Sequence, residues 1–168
     1  MDINLLIWSF LIIFMLHNFE EIITMEKWFK NTYPRVMEQI PPFARKEIEP
    51  FRSITSSQFS IAVCVLFIAA SILILITVTT NHYFLFLGLN IFFALNILTH
   101  PVQSLFLRKY VPGLWTTIML IIPYNVILFS NFHNEGILDA STIVSAFLVT
   151  ILFIPILLIS HKIAEKWG

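Results

Sequence analysis

Five apolar runs, each near the length of a bilayer-crossing helix, constrain this chain more than any other feature. They lie at about residues 3–23, 59–78, 83–99, 114–129 and 141–160. A spanning helix needs roughly 20 mostly apolar residues. The runs are too long for strands and lack period-two alternation. Only 12% of the chain is charged, about half the usual share for a soluble domain. Pro123 and Pro155 fall inside runs four and five; membrane helices tolerate interior prolines as kinks when neighbours satisfy the freed carbonyl. Run one has no basic leader and no small-residue cleavage pattern after Leu16, so a retained helix is expected rather than a signal peptide. The expected fold is all-α: one transmembrane domain over residues 1–168, a polytopic bundle of five helices joined by a long connection at 24–58.

Charge placement orients the bundle. Ten basic and ten acidic residues cancel, which excludes a globally basic nucleic-acid binder. The basic residues are not evenly spread. Lys27, Lys30, Arg35, Arg45, Lys46 and Arg52 lie in the first connection, Arg108 and Lys109 between runs three and four, and Lys162 and Lys166 in the tail. Five crossings put these segments on one side. The positive-inside rule then sets the N-terminus outside and the C-terminus in the cytoplasm of a multi-pass plasma-membrane protein. In the first connection, Trp28, Phe29 and Tyr33 suit the headgroup region, and Pro34, Pro41, Pro42 and Pro50 divide the segment. It reads as a solvated linker, or as a basic–aromatic surface on the anionic leaflet. The single cysteine, Cys64, excludes an intrachain disulfide.

Ionisable residues inside membrane segments are expensive and point to function. Run one ends in His17-Asn18-Phe19-Glu20-Glu21. The i,i+3 and i,i+4 spacings put an imidazole and a carboxylate on one helix face, where they can share a cation. Run three carries Asn90, then Asn96 and His100 at i,i+4, with Gln103 beyond. Pro101 is expected to break the helix at His100. At 1.5 Å per residue, His17 lies about 21 Å and Glu21 about 27 Å along run one, and His100 about 26 Å along run three. Both clusters therefore sit at one height, in the cytoplasmic half. His17, Glu20, Glu21 and His100 form a candidate divalent site whose nitrogen and oxygen ligands suit zinc or iron. In the plainer alternative, His17 bonds Asn96 and ties helices one and three together. Tyr110, Pro112 and Gly113 form a turn on the same side, from which Tyr110 could reach a substrate. Tyr124 and Asn125 are expected to bond between helices. His161 beside Lys162 reads as an interfacial anchor, and His82 and His133 as exposed.

His17-Asn18-Phe19-Glu20-Glu21, Asn96-x-x-x-His100 and Tyr110-x-Pro-Gly113 together resemble the HXXEE family of small bacterial membrane proteins, over nearly the whole chain. The resemblance implies no activity, because none is assigned to the family; it supports His17, Glu20, Glu21, Asn96 and His100 as functional positions. A more distant likeness is to intramembrane CAAX-type proteases. Met25 stands where their Glu-Glu-x-x-x-Arg element needs arginine, and the helix count is too small, so protease activity is not carried over.

Two functions fit. In one, the chain is an enzyme. A divalent metal on His17, Glu20 or Glu21 and His100 activates water, the remaining carboxylate acts as base, and Tyr110 or Asn96 polarises a lipid-like substrate for hydrolysis or group transfer. In the other, it is a non-enzymatic membrane protein, an immunity or stress factor or a subunit of a complex, and the same residues are interhelical glue. Ion transport fits less well, since a relay needs polar residues down the whole bundle.

Overall fold

The computed structural model describes residues 2–167, without the side chains of Glu47, Pro50 and Phe51. Among the described residues all regular structure is helical: α1 (Ile3–Asn31), α2 (Tyr33–Val36), α3 (Pro42–Ile48), α4 (Ser56–Thr80), α5 (Tyr83–Ala94), α6 (Asn96–Leu107), α7 (Leu114–Thr116), α8 (Ile122–Asn134) and α9 (Ala140–Trp167). Five helices are long and apolar enough to cross a membrane: α1, α4, α5 with α6, α7 with α8, and α9. This is a membrane protein. Its outer surface is apolar, with Leu5, Ile12, Ile23, Leu105, Val126 and Leu152 all exposed, as lipid contact requires.

Local chemistry sets the helix ends. The Thr55 side chain accepts from Gln58 N and the Gln58 side chain accepts from Thr55 N, a reciprocal cap that starts α4. The helix stops at Asn81, whose φ of 59° is left-handed. Asp139 precedes α9 and accepts from Ser141 and Thr142. These bonds hold its carboxyl well below the usual carboxylate range.

The core is aromatic. Phe10 of α1 lies 5.5 Å from the Phe86 ring and 5.2 Å from Phe93, both near edge-on, a favourable quadrupole geometry. Gly88 brings α5 against α9; a Cβ there would lie 2.5 Å from the Ala146 carbonyl oxygen, and Thr150 donates to Gly88 O across the contact. As expected, Tyr124 and Asn125 bond between helices. Tyr124 donates to Leu6 O at 3.0 Å, and Asn90 donates to Asn125 at 2.8 Å.

Three expectations need correction. First, the 24–58 segment is not a solvated linker. Helix α1 runs on to Asn31, and α2, α3 and short 3₁₀ turns at Met37–Gln39 and Glu49–Ser53 follow. Trp28, Tyr33, Val36 and Ile40 are buried with Leu107 and Val111 in a second core. Trp28 Nε1 donates to Tyr110 O at 2.6 Å, so this cap grips the turn before helix four. Second, helix three does not break at His100. It continues through Pro101 to Leu107, and the interruption lies at Leu95. Proline removes its own N–H and crowds the carbonyl four residues back, that of Ile97, so its disturbance falls upstream of His100, two residues from the interruption at Leu95. Third, helix four, where a proline kink was expected, also widens ahead of Pro123. Thr117–Ile121 form a π turn in which Ile122 N donates to Thr117 O, and α8 starts just before Pro123. Such turns recur at functional sites.

Candidate metal centre

The two clusters, far apart in sequence, meet in the structure. His17, Glu21 and His100 each offer a ligand atom, and these atoms lie within 4.8 Å of one another. Glu21 Oε1 stands 3.4 Å from His100 Nε2 and 3.9 Å from His17 Nε2. Two ligands of a tetrahedral zinc are about 3.4 Å apart when each bond is near 2.1 Å; the His100 separation equals that span and the His17 separation exceeds it by about 0.5 Å. The imidazoles are 1% and 12% exposed and the carboxylate 18%. Among the described residues, neither Nε2 has a hydrogen-bond partner. Three potential acceptors thus converge, sheltered, with no hydrogen bond among them.

Glu20 behaves differently. Its carboxylate accepts from Tyr110 OH at 2.6 Å, Trp115 N at 3.2 Å, Thr116 N at 2.7 Å and Thr116 Oγ1 at 2.5 Å. It caps the N-terminus of helix four from another helix, satisfying amides that otherwise lack partners and meeting the positive end of the dipole. Glu20 was expected among the metal ligands; the structure commits it to this cap and leaves it outside the converging group. Tyr110, expected to face a substrate, donates to Glu20 instead. Burial, with that bond, pushes its phenol up to about 12, so it remains a donor at neutral pH.

Thr116 joins the two sets. Its hydroxyl has one proton, and Glu20, surrounded by donors, acts only as an acceptor. The proton therefore goes to Glu20, and the Thr116 oxygen accepts from His17 Nδ1–H at 2.9 Å. This fixes His17 as the Nδ1–H tautomer, with its Nε2 lone pair turned to Glu21 and His100. A metal-ligating imidazole usually donates its other N–H to a carboxylate, a backbone carbonyl or a water; here the Thr116 hydroxyl takes that place, backed by the Glu20 carboxylate. Sequence reasoning did not select Thr116. Thr116→Val is expected to weaken zinc binding about 10- to 100-fold, whereas Thr116→Ser, which keeps the hydroxyl, retains wild-type affinity. A competition titration against a chromogenic chelator reads both; equal affinity in the valine variant would separate Thr116 from the site.

Gly113 closes the group from behind. Its φ is +82°, and a Cβ would lie 2.8 Å from His17 Cε1 and 3.0 Å from His100 Cε1 and Nε2. The turn from Tyr110 to Gly113 thus packs against both imidazoles.

On the other side lies a cavity of about 320 Å³ lined by His17, Glu21, Asn96 and His161 among apolar residues. Asn96 lines this cavity, and among the described residues no hydrogen bond joins it to His17. The alternative pairing of those two is replaced by His17 with Thr116. His161, read from the sequence as an interfacial anchor, stacks on Phe59, with ring centroids 6.4 Å apart, and lines the same cavity. A second cavity of about 280 Å³ lies between the group and the folded cap, lined by Glu21, Trp28, His100 and Gln103 among others.

Fold and site together define a helical membrane protein with a sheltered His/Glu group that could hold a metal. The chain belongs to the family described as "Protein of unknown function with HXXEE motif", whose model matches residues 8–128. It is also similar to a Bacillus subtilis (strain 168) protein named "Uncharacterized protein YrkK", with 25% identity over 157 residues covering 90% of each chain. No solved structure matches.

Proposed function

We propose that this is a five-pass plasma-membrane protein, N-terminus outside and C-terminus cytoplasmic, carrying a single divalent zinc or iron site on His17, Glu21 and His100. The site serves hydrolysis or group transfer on a lipid-like substrate. One observation carries the reading: three ligand atoms converge and, among the described residues, neither Nε2 has a hydrogen-bond partner, while Thr116 Oγ1 stands 2.9 Å behind the His17 ring at Nδ1. Three protein ligands leave a fourth position, as in catalytic zinc sites. A cation there would bring the pKa of a water near 7 and polarise a carbonyl or phosphoryl oxygen. Asn96 offers its amide to the substrate from the cavity wall. Glu20 and Tyr110 act through their support of Thr116 and His17. The orientation rests on the basic residues, which gather at the cap end of the bundle.

A second reading has its own support. The bonds of Glu20 to Tyr110, Trp115 and Thr116 tie helix one to helix four, as interhelical glue in an immunity or stress factor, or in a subunit of a complex, would. Elemental analysis of the detergent-purified protein separates the two. The metal reading expects about one zinc or iron per chain; background metal after zinc reconstitution would leave the glue reading standing.

A further inference from the structure

We propose that the cavity beside the metal centre is a subsite for one hydrocarbon chain of an amphiphile taken from the bilayer, whose oxygen-bearing headgroup rests on His17, Glu21 and His100. This inference rests on the metal reading of the same site.

The cavity is polarised along its length. On α1 its lining runs from Phe14 to Glu21, about 10 Å of helix. Helix α4 runs the other way and contributes Leu66 at the Phe14 end and Phe59 at the Glu21 end. In helix three, Phe92 and Phe93 lie toward the apolar end and Asn96 toward the polar one, and α9 adds His161 at the polar end beyond Leu157. Three helices thus agree on one direction, hydrocarbon inward and polar groups toward the cap, while α4 lines the cavity with apolar residues throughout. Asn18 is the polar exception between the two ends, and it donates one amide N–H to Phe14 O at 2.7 Å.

The cavity also opens sideways. Leu95 lines it and is 47% exposed. Leu95 is also the residue at which helix three is interrupted. The break upstream of Pro101 therefore makes a side entrance at the depth of the site, where the surroundings are lipid and not water. At about 320 Å³ the space is at the lower end of ligand pockets, about 300–1,000 Å³, which favours one chain over two. The second cavity shares Glu21 and Phe59 with the first and leaves room for the rest of a headgroup under the cap. A chain moving from lipid into this space gains no hydrophobic energy, since acyl tails are as apolar as leucine. Selection is by shape and by the headgroup, and the test reads position.

The probe is a medium-chain alkyl hydroxamate, a zinc-binding headgroup, with a diazirine at its far carbon. It is photolysed on the full-length, zinc-loaded protein in maltoside detergent, and labelled residues are located by mass spectrometry. The expected result is zinc-dependent labelling of Val63, Leu66 or Phe93. Leu66→Trp, which fills the apolar end, should lower that labelling about tenfold or more, as one overpacked side chain can, with zinc content unchanged. Should Leu66→Trp fail to load zinc, Ala62→Leu narrows the same space and takes its place. Labelling confined to outward residues such as Ile68 and Ile72, or unaffected by the filling variants, in protein that holds zinc, overturns the chain subsite and spares the metal reading. A wild-type protein that holds no zinc overturns both.

Discussion

Glu21→Gln is expected to reduce bound zinc from about one per chain to background and to weaken the site by more than about 100-fold, beyond what loss of a supporting residue costs. The substitution keeps the shape of the side chain and removes the only group in the converging set that can give a cation a negative ligand. Glu21 Oε1 is the atom common to both close approaches, 3.4 Å from His100 Nε2 and 3.9 Å from His17 Nε2. Without it two neutral imidazoles remain, with one anionic ligand fewer to offset a divalent charge. Thermal unfolding gives an independent readout. A ligand at a hundred times its dissociation constant stabilises by about 2.7 kcal/mol, so zinc should raise the wild-type midpoint and leave that of Glu21→Gln unmoved. Glue predicts the opposite pattern: a lower midpoint in the variant and no zinc effect on either protein. Equal zinc titrations in the two proteins would sink the metal reading.

Much of this arrangement is legible in the sequence, and the parts that are not share one cause. The apolar runs show themselves because the bilayer dictates their length. His17, Glu21 and His100 show themselves because i,i+4 spacing fixes faces and helical rise fixes height. Glu20 and Glu21, by contrast, have nearly equivalent positions relative to His17. Only the N-terminus of helix four, some 95 residues on, separates them, by supplying Trp115 N and Thr116 N to one carboxylate and not the other. Thr116 is hidden for the same reason, since its bond to His17 crosses 99 residues. Proline misled twice. Pro34 and Pro42 read as breaks, yet each stands in the first turn of a helix, α2 and α3, where the missing N–H costs nothing. The partners that bury Tyr33 and Val36, Leu107 and Val111, lie in a different connection, so the cap looked like a linker.

Gly113→Ala is expected to disable the metal centre, and Gly136→Ala to leave it intact, although both glycines have left-handed backbones. Their φ angles are +82° and +68°. Either substitution incurs the left-handed penalty of an L-residue, about 1–2 kcal/mol. The surroundings then divide them. A Cβ at Gly136 meets nothing within 4 Å, so that variant should lose only the backbone term and bind zinc like wild type. A Cβ at Gly113 would sit 2.8 Å from His17 Cε1 and 3.0 Å from His100 Cε1 and Nε2, closer than packed carbon atoms approach, about 3.5–4.0 Å. Both imidazoles, or the turn, must give way. The turn is poorly placed to move. Tyr110 is bound to Glu20 and its carbonyl to Trp28, and Gly113 O accepts from Thr117 N. The rings should therefore shift and open the ligand geometry. The expected outcome is a loss of zinc affinity of about 100-fold or more, comparable to losing a ligand's support, alongside a fall in stability exceeding that of Gly136→Ala. Zinc titration and thermal unfolding of the pair make the comparison internal, because the shared backbone term cancels. If the two variants bind zinc equally well, the contact of Gly113 with the histidines has no part in shaping the site.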